Sequence, residues 1–186
     1  MNQYLYIGIA AVIVILIICI ICFYNKFIKL KNYVEEAFST MDVYLKKRAD
    51  LVPNLVETVK GYAGHEKEVF ANAGKAISSW DGNEKNRIIR FQQEEEVGKA
   101  VRDIRVITEA YPQVRANENF LMLQKSLQIL ENDIADARKY YNGVVNTYNS
   151  AIQTFPANLF AAILGFKKEQ LFIAAEWERE SVRVSF

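Results

Sequence analysis

The chain has 186 residues, 51% of them hydrophobic, and its 23 basic and 22 acidic side chains give a formal net charge of +1. This balance argues against a nucleic-acid partner, which would select a strongly basic surface. One histidine and two cysteines leave few side chains that could bind a transition metal or act as a nucleophile.

The first predicted element is a membrane-spanning helix at residues 5–24. This stretch contains no charged residue and consists mainly of Ile, Val and Leu. Twenty helical residues measure about 30 Å, which matches the hydrocarbon core of a bilayer. Membrane lipid is therefore the first expected partner. The residues assigned to the anchor are Leu5, Ile13, Leu16, Ile20, Phe23 and Tyr24.

A cleaved signal peptide is the alternative to a retained anchor. No basic residue precedes the apolar run, and bulky side chains occupy its end, where a cleavage site would need small ones. Lys26, Lys29 and Lys31 follow the run, so the positive-inside rule places the N-terminus outside and the C-terminal body in the cytoplasm. We therefore expect a single-pass protein of the cell membrane.

Both cysteines, Cys19 and Cys22, lie inside the apolar run. The sequence therefore predicts neither a disulfide framework nor a cysteine-rich metal site in the body. We interpret the two as lipid-facing or interface residues, with acylation near the cytoplasmic end as the alternative.

Behind the anchor (residues 1–25), residues 26–156 predict an all-α fold, an antiparallel bundle of long helices. Pro53 would cost an interior helix position about 3 kcal/mol, so we expect a bend or an interruption between Asp50 and Pro53. Gly61 and Gly64 mark a second weak point. Apolar residues follow in steps of three and four, with Arg48 filling one position of the series: Phe27, Leu30, Val34, Ala37, Met41, Leu45, Val52, Leu55, Val59 and Tyr62.

Three further helical segments follow in the sequence. The first, at residues 66–80, runs into an Asp-Gly-Asn turn at 81–83, and the second, at 84–110, is stopped by Tyr111-Pro112. Asn117 is the predicted N-cap of the third and longest, which Phe155-Pro156 closes. An intramolecular bundle explains its apolar stripe, with a dimer seam as the alternative. The stripe consists of Phe120, Leu123, Leu127, Leu130, Ile134, Ala137, Tyr141, Val144, Tyr148 and Ile152.

The sequence offers no set of residues for a reaction. His65 precedes a glutamate but lacks the second histidine of a zinc-protease helix, and we interpret it as structural or capping. The acidic run at residues 94–96 places side chains about 100° apart around a helix, which favours a solvated face over a cation site. We expect a protein that is not an enzyme, with no catalytic residue, cofactor or metal.

Five polar residues surround the Pro53 region: Asp42, Arg48, Asp50, Asn54 and Glu57. We interpret them as buried polar contacts that fix the register of the bundle. The alternative is a surface that binds a partner protein.

Residues 157–186 form an apolar segment and a tail that we expect to pack on the bundle or on the membrane surface. The eight residues 159–166 are almost wholly apolar but too few to span a bilayer, and Lys167 and Lys168 follow them. We expect these residues to contact the membrane, with capping of the bundle or contact with another subunit as the alternatives. The candidate contact residues are Leu159, Phe160, Ile163, Leu164 and Phe166. Residues 181–186 alternate like a strand without an evident partner.

The chain resembles the LemA family from the anchor to about Phe172. The motifs that carry the resemblance are residues 34–39 (VEEAFS), 41–48 (MDVYLKKR), 50–63 (DLVPNLVETVKGYA), 109–112 (EAYP), 131–134 (ENDI), 140–142 (YYN), 148–149 (YN) and 155–158 (FPAN). The resemblance implies a bacterial single-pass membrane protein with a cytoplasmic helical bundle. It supplies no reaction, and relatives include a protein involved in forming magnetosome membranes. Tyr44 departs from the family, which often has Gln there.

We therefore expect a membrane scaffold that assembles as a homo-oligomer and organises or curves the bilayer. The alternative is an adaptor that presents the bundle to another membrane protein, such as a protease or a sensor kinase.

Overall fold

The computed structural model describes residues 2–80, 84 and 86–173. These residues contain no strand, and they confirm the predicted all-α fold. The predicted turn at 81–83 and the alternating tail at 181–186 lie outside them. The helices are α1 (Asn2–Lys60), α2 (Lys67–Ser79), α3 (Arg87–Ala110), α4 (Pro112–Arg115), α5 (Glu118–Gln153) and α6 (Ala157–Ile163).

α1 is one helix of 59 residues with Pro53 inside it. The interruption that the proline predicts does not occur. Pro53 is exposed, whereas Val52 and Leu55 beside it are buried. Their packing offsets the cost of the hydrogen bond that proline cannot make, about 3 kcal/mol. The helix ends at the second predicted weak point, the turn that contains Gly61 and Gly64.

The other helices begin and end within three residues of their predicted bounds. The side chain of Asn117 accepts a hydrogen bond from the Phe120 N–H (3.0 Å), which confirms the predicted N-cap of α5. Asn86 caps α3 in the same way through the Ile88 N–H (3.0 Å). α5 is the second-longest helix among the described residues, because α1 is unbroken. α4 and α6 are short helices that the sequence pattern does not predict as separate elements.

The described chain divides into two compact units, and α1 and α5 contribute residues to both. Unit 1 consists of residues 2–38 and 140–171. Its ring contacts join Phe23 to Phe160 (4.7 Å between centroids) and Phe38 to Tyr141 (6.0 Å). From the first contact to the second, the residue number increases along α1 and decreases along residues 140–171. The two segments therefore run antiparallel in unit 1.

Unit 2 consists of residues 39–139 together with residues 172 and 173. Here too α1 and α5 are antiparallel, since Arg48 contacts Glu131 and the Asn117 side chain donates to the Tyr62 hydroxyl (2.9 Å). α3 packs against both, and α2 and α4 pack on α3. The apolar core of this unit consists of Ala49, Val52, Leu55, Val59, Ala63, Ala73, Ala76, Val97, Ala100, Val101, Ile104, Val114, Phe120 and Leu127.

Burial confirms the two apolar stripes, with local differences. In α1, Leu30 is half-buried and Tyr62 is exposed, while the other apolar members of the stripe are buried. In α5 the predicted Leu123 and Val144 are half-buried, and Val145, next to Val144, is fully buried. The core face of α5 therefore passes from Tyr141 through Val145 to Tyr148.

Among the residues that the structure describes, α1 alone is long and apolar enough to cross a membrane. None of its most apolar 18-residue window is buried. Of the assigned anchor residues, Ile13, Leu16, Ile20 and Tyr24 are exposed and Phe23 is half-buried, while the side chain of Leu5 lies outside the described atoms.

The burial difference between two adjacent valines gives a matched test of the α5 register. Val145→Ala removes two buried methyl groups and should lower the free energy of unfolding by about 2 kcal/mol. Val144→Ala, at the half-buried position, should lower it by less than about 1 kcal/mol. Urea unfolding of the detergent-solubilised full chain, followed by circular dichroism, measures both. A larger loss at Val144 would contradict this register.

Candidate functional site

Charged side chains are buried in unit 2 where α1, α3 and α5 meet. Arg48, Arg90 and Glu94 are each 1% exposed. A charge removed from water without a partner costs several kcal/mol, so each of these groups needs a counter-charge and hydrogen bonds.

Glu94 on α3 lies between two guanidinium groups. Its Oε2 accepts a hydrogen bond from Arg48 on α1, and its Oε1 accepts one from Arg138 on α5. Arg48 also donates to the main-chain carbonyl of Glu94 (2.9 Å) and to Oε1 of Glu131 on α5 (3.2 Å). These four side chains, the Glu94 cluster, therefore connect three helices through one ionic network.

The electrostatics of the cluster are balanced. Burial raises the pKa of the Glu94 carboxyl, while the guanidinium groups of Arg48 and Arg138 oppose that rise. Two arginines face two glutamates, so the cluster is formally neutral. Both Glu94 carboxylate oxygens already accept hydrogen bonds, whereas a general base needs an oxygen within reach of a substrate proton.

A second ion pair, between buried Arg90 and half-buried Asp42, lies at the start of α3. Arg90 Nε lies 3.0 Å from Asp42 Oδ1, as an ion pair without hydrogen-bond geometry. The Arg90 guanidinium also stacks over the Trp80 ring at 4.7 Å and donates to the Glu84 carbonyl (3.3 Å). Burial raises the pKa of the Asp42 carboxyl, and Arg90 opposes the rise. The pair connects α1 with α3, and the other contacts of Arg90 join it to the segment between α2 and α3.

The structure separates the five polar residues of the Pro53 region. Asp42 and Arg48 take part in the two ionic networks. Asp50, Asn54 and Glu57 are exposed. Because their spacing is i, i+4 and i+7, these three lie on one solvent-facing side of α1.

The interpretation of residues 94–96 as a solvated face is wrong for Glu94. Glu95 and Glu96 are exposed, but Glu94 is among the most buried residues of the chain. Neighbouring helical residues point about 100° apart, so one of three can face the core while the others face water. The signal in the sequence was Arg48, a cation in an apolar stripe, which required a carboxylate partner elsewhere.

The structure places His65 in the turn between α1 and α2. Its side chain is exposed, and its carbonyl accepts a hydrogen bond from the Lys67 N–H (2.9 Å). Within the described ranges, His, Cys, Asp and Glu side chains form no group of three that could hold a metal ion.

Polar side chains of α5 also fix the segment that follows α6, within unit 1. This segment, residues 167–170, is called the C-terminal strap. Its main chain is bound at three points, by Tyr141 at the Gln170 carbonyl (2.7 Å), by Tyr148 at the Lys167 carbonyl (2.9 Å) and by Asn149 at the carbonyl and N–H of Glu169 (2.8 and 2.9 Å).

The candidate contact segment packs against the first part of α1. Phe160 stacks on Phe23, and Phe166 meets the edges of Tyr24 (6.0 Å) and Phe27 (5.1 Å). One side of the segment is thus covered by its own unit.

The other candidate contact residues are less covered. Leu164 is half-buried, and Leu159 and Ile163 are exposed.

The Glu94 cluster predicts a large difference between two neighbouring glutamates. Glu94→Gln leaves Arg48 and Arg138 without their shared anion and should lower the free energy of unfolding by about 3–5 kcal/mol. Glu95→Gln, on the exposed side of the same helix, should change it by less than about 0.5 kcal/mol. Chemical unfolding of the full chain in detergent measures both values. Similar stabilities for the two variants would show that the cluster does not hold these helices.

The sequence is similar to one protein family and to several known proteins. The profile of the family described as "LemA family" matches residues 37–186. The chain is 24% identical to Magnetosome protein MamQ 2 of Paramagnetospirillum magneticum over 174 residues, covering 80% of this chain and 64% of that protein. Magnetosome protein MamQ of Magnetospirillum gryphiswaldense gives the same identity and coverage.

A mycoplasma protein is also similar. Protein LemA of Metamycoplasma hominis is 22% identical over 161 residues, covering 87% of this chain and 74% of the relative. This chain covers 64% of the length of each magnetosome protein, which is less than two thirds.

Proposed function

The chain belongs to the LemA family, and we propose that it is a membrane-anchored, non-enzymatic scaffold that assembles with copies of itself and organises or shapes the membrane. α1 carries the proposal. Its 59 residues form one helix that begins with the apolar run and continues into the helical body. Within unit 1, residues 25–38 follow the run in the same helix and pack antiparallel to α5, so the anchor joins this unit without a break in the helix.

The exposed surface of the apolar run supports anchoring in lipid. Consecutive aliphatic side chains there are about half exposed, including Ile13 at 51% and Ile17 at 51%. A soluble protein rarely exposes an apolar surface of this extent, and a bilayer would cover it. Lys26, Lys29 and Lys31 directly follow the run, which favours a cytoplasmic body.

The state of the buried charges supports a structural body. Arg48, Arg90 and Glu94 each pair with groups on neighbouring elements, and these pairs connect helices. Both carboxylate oxygens of Glu94 accept hydrogen bonds from arginines, which favours a structural role over proton transfer for this group. Two relatives are named as magnetosome proteins, which supports a role in building a cellular structure.

Self-assembly is tested with the full chain extracted from membranes in detergent. We expect light scattering, corrected for detergent, to give a defined multiple of the 21.4 kDa protomer, and imaging to show particles of one size. The expectation follows from a scaffold that needs no second protein. A single protomer at every concentration would contradict self-assembly and favour the adaptor.

The adaptor is the second candidate, because Asp50, Asn54 and Glu57 form an exposed polar face on α1. These residues make no ionic contact with other helices that would explain a packing role. If the extracted protein is monomeric, Glu57→Lys should weaken binding to a partner protein, with Glu68→Lys on α2 as the exposed control.

Topology gives a separate test. The lysines after the apolar run predict that a fluorescent reporter fused after Phe186 lies in the cytoplasm. It should fluoresce and resist protease added to intact cells, while an N-terminal epitope tag should be digested. Digestion of the C-terminal reporter outside intact cells would reverse the proposed orientation.

A further inference from the structure

We propose that the outer face of α6, formed by Leu159 and Ile163, lies in the lipid headgroup boundary next to the point where α1 leaves the membrane. The ligand class is a lipid surface. This inference rests on the proposed function, because it takes the apolar run of α1 as the membrane span. It adds a second membrane contact to an anchor that otherwise consists of one helix.

The aromatic contacts of unit 1 set the depth of α6. Phe23 is the next-to-last residue of the uncharged run, and its ring stacks on Phe160 with centroids 4.7 Å apart and planes 19° apart. Phe166 contacts Tyr24 and Phe27 over the same turn of α1. Because the run fills about 30 Å of hydrocarbon, these rings lie at its boundary, where aromatic residues are enriched in membrane proteins.

α6 is apolar on its inner and its outer side. Ala157 and Ala161 are buried within the unit, whereas Leu159 and Ile163 are 55% and 81% exposed. Leu159 and Ile163 are four residues apart and therefore share one helical face. Asn158, at the start of α6, is its one polar residue, so the exposed side of the helix is mainly apolar. A predominantly apolar helix is typical of an apolar environment, and protein covers only the inner side here.

Charge and anchoring favour lipid over a second copy of the chain as the cover. Lys26 on α1 and Lys167 and Lys168 after α6 are exposed, and such lysines attract anionic headgroups. The bond from the Tyr148 hydroxyl to the Lys167 carbonyl (2.9 Å) fixes the start of the strap. The same bilayer that covers the exposed apolar run of α1 would cover the adjacent outer face of α6.

Spin labels on the full chain test this placement. Cys19→Ala with Cys22→Ala gives a cysteine-free background, in which Leu159→Cys and Ile163→Cys each carry one label. Ile13→Cys reports on the span, and Ile129→Cys, which is 54% exposed in the wild-type chain, is the matched control in unit 2. The chains are reconstituted in vesicles of phosphatidylcholine and phosphatidylglycerol, and collisions with oxygen and with a water-soluble nickel complex are measured.

We expect labels at 159 and 163 to collide with nickel several-fold less, and with oxygen more, than the label at 129. If the label at position 13 collides mainly with oxygen, but the labels at 159 and 163 collide with both reagents as the label at 129 does, the anchor is supported and the α6 contact is overturned. Protection of 159 and 163 from both reagents would place protein on this face, a second copy above all, and would also overturn it. Free access of nickel to 13 would refute the anchor itself.

Discussion

Glu94 carries a carboxylate that is buried between the guanidinium groups of Arg48 and Arg138, and we propose that the helix packing of unit 2 depends on this pairing. Apolar contacts are not directional, so a stripe of Val, Leu and Ala could pack in more than one register. A buried carboxylate needs hydrogen-bond donors in place, so fewer arrangements satisfy it than satisfy an apolar contact. We propose that the Glu94 cluster selects the register that the apolar core then stabilises.

Periodicity made the all-α fold, the apolar run and the Asn117 cap predictable, because each is local in sequence. The alternative of an interruption at Pro53 is wrong, since packing of Val52 and Leu55 outweighs the local cost of proline. Val145 is buried in place of the predicted Val144, because an α-helix has 3.6 residues per turn and its buried face drifts relative to a strict seven-residue repeat. The burial of Glu94 could not be predicted from local sequence, because its partner Arg48 lies 46 residues away.

The motifs that resemble the LemA family acquire physical roles in packing. Asp42 and Arg48 belong to the first motifs, and each forms an ion pair with α3. Tyr141, Tyr148 and Asn149 belong to later ones, and each binds the main chain of the C-terminal strap. These roles are structural, and they are compatible with the proposed scaffold.

A double-mutant cycle between Arg48 and Glu94 tests the central claim most directly. Free energies of unfolding are measured for Arg48→Met, for Glu94→Gln and for the double variant. If the pair holds α1 and α3 together, the double variant should lose about 2–3 kcal/mol less than the sum of the single losses. Losses that add within about 0.5 kcal/mol would show that the two residues act independently, and would contradict the account.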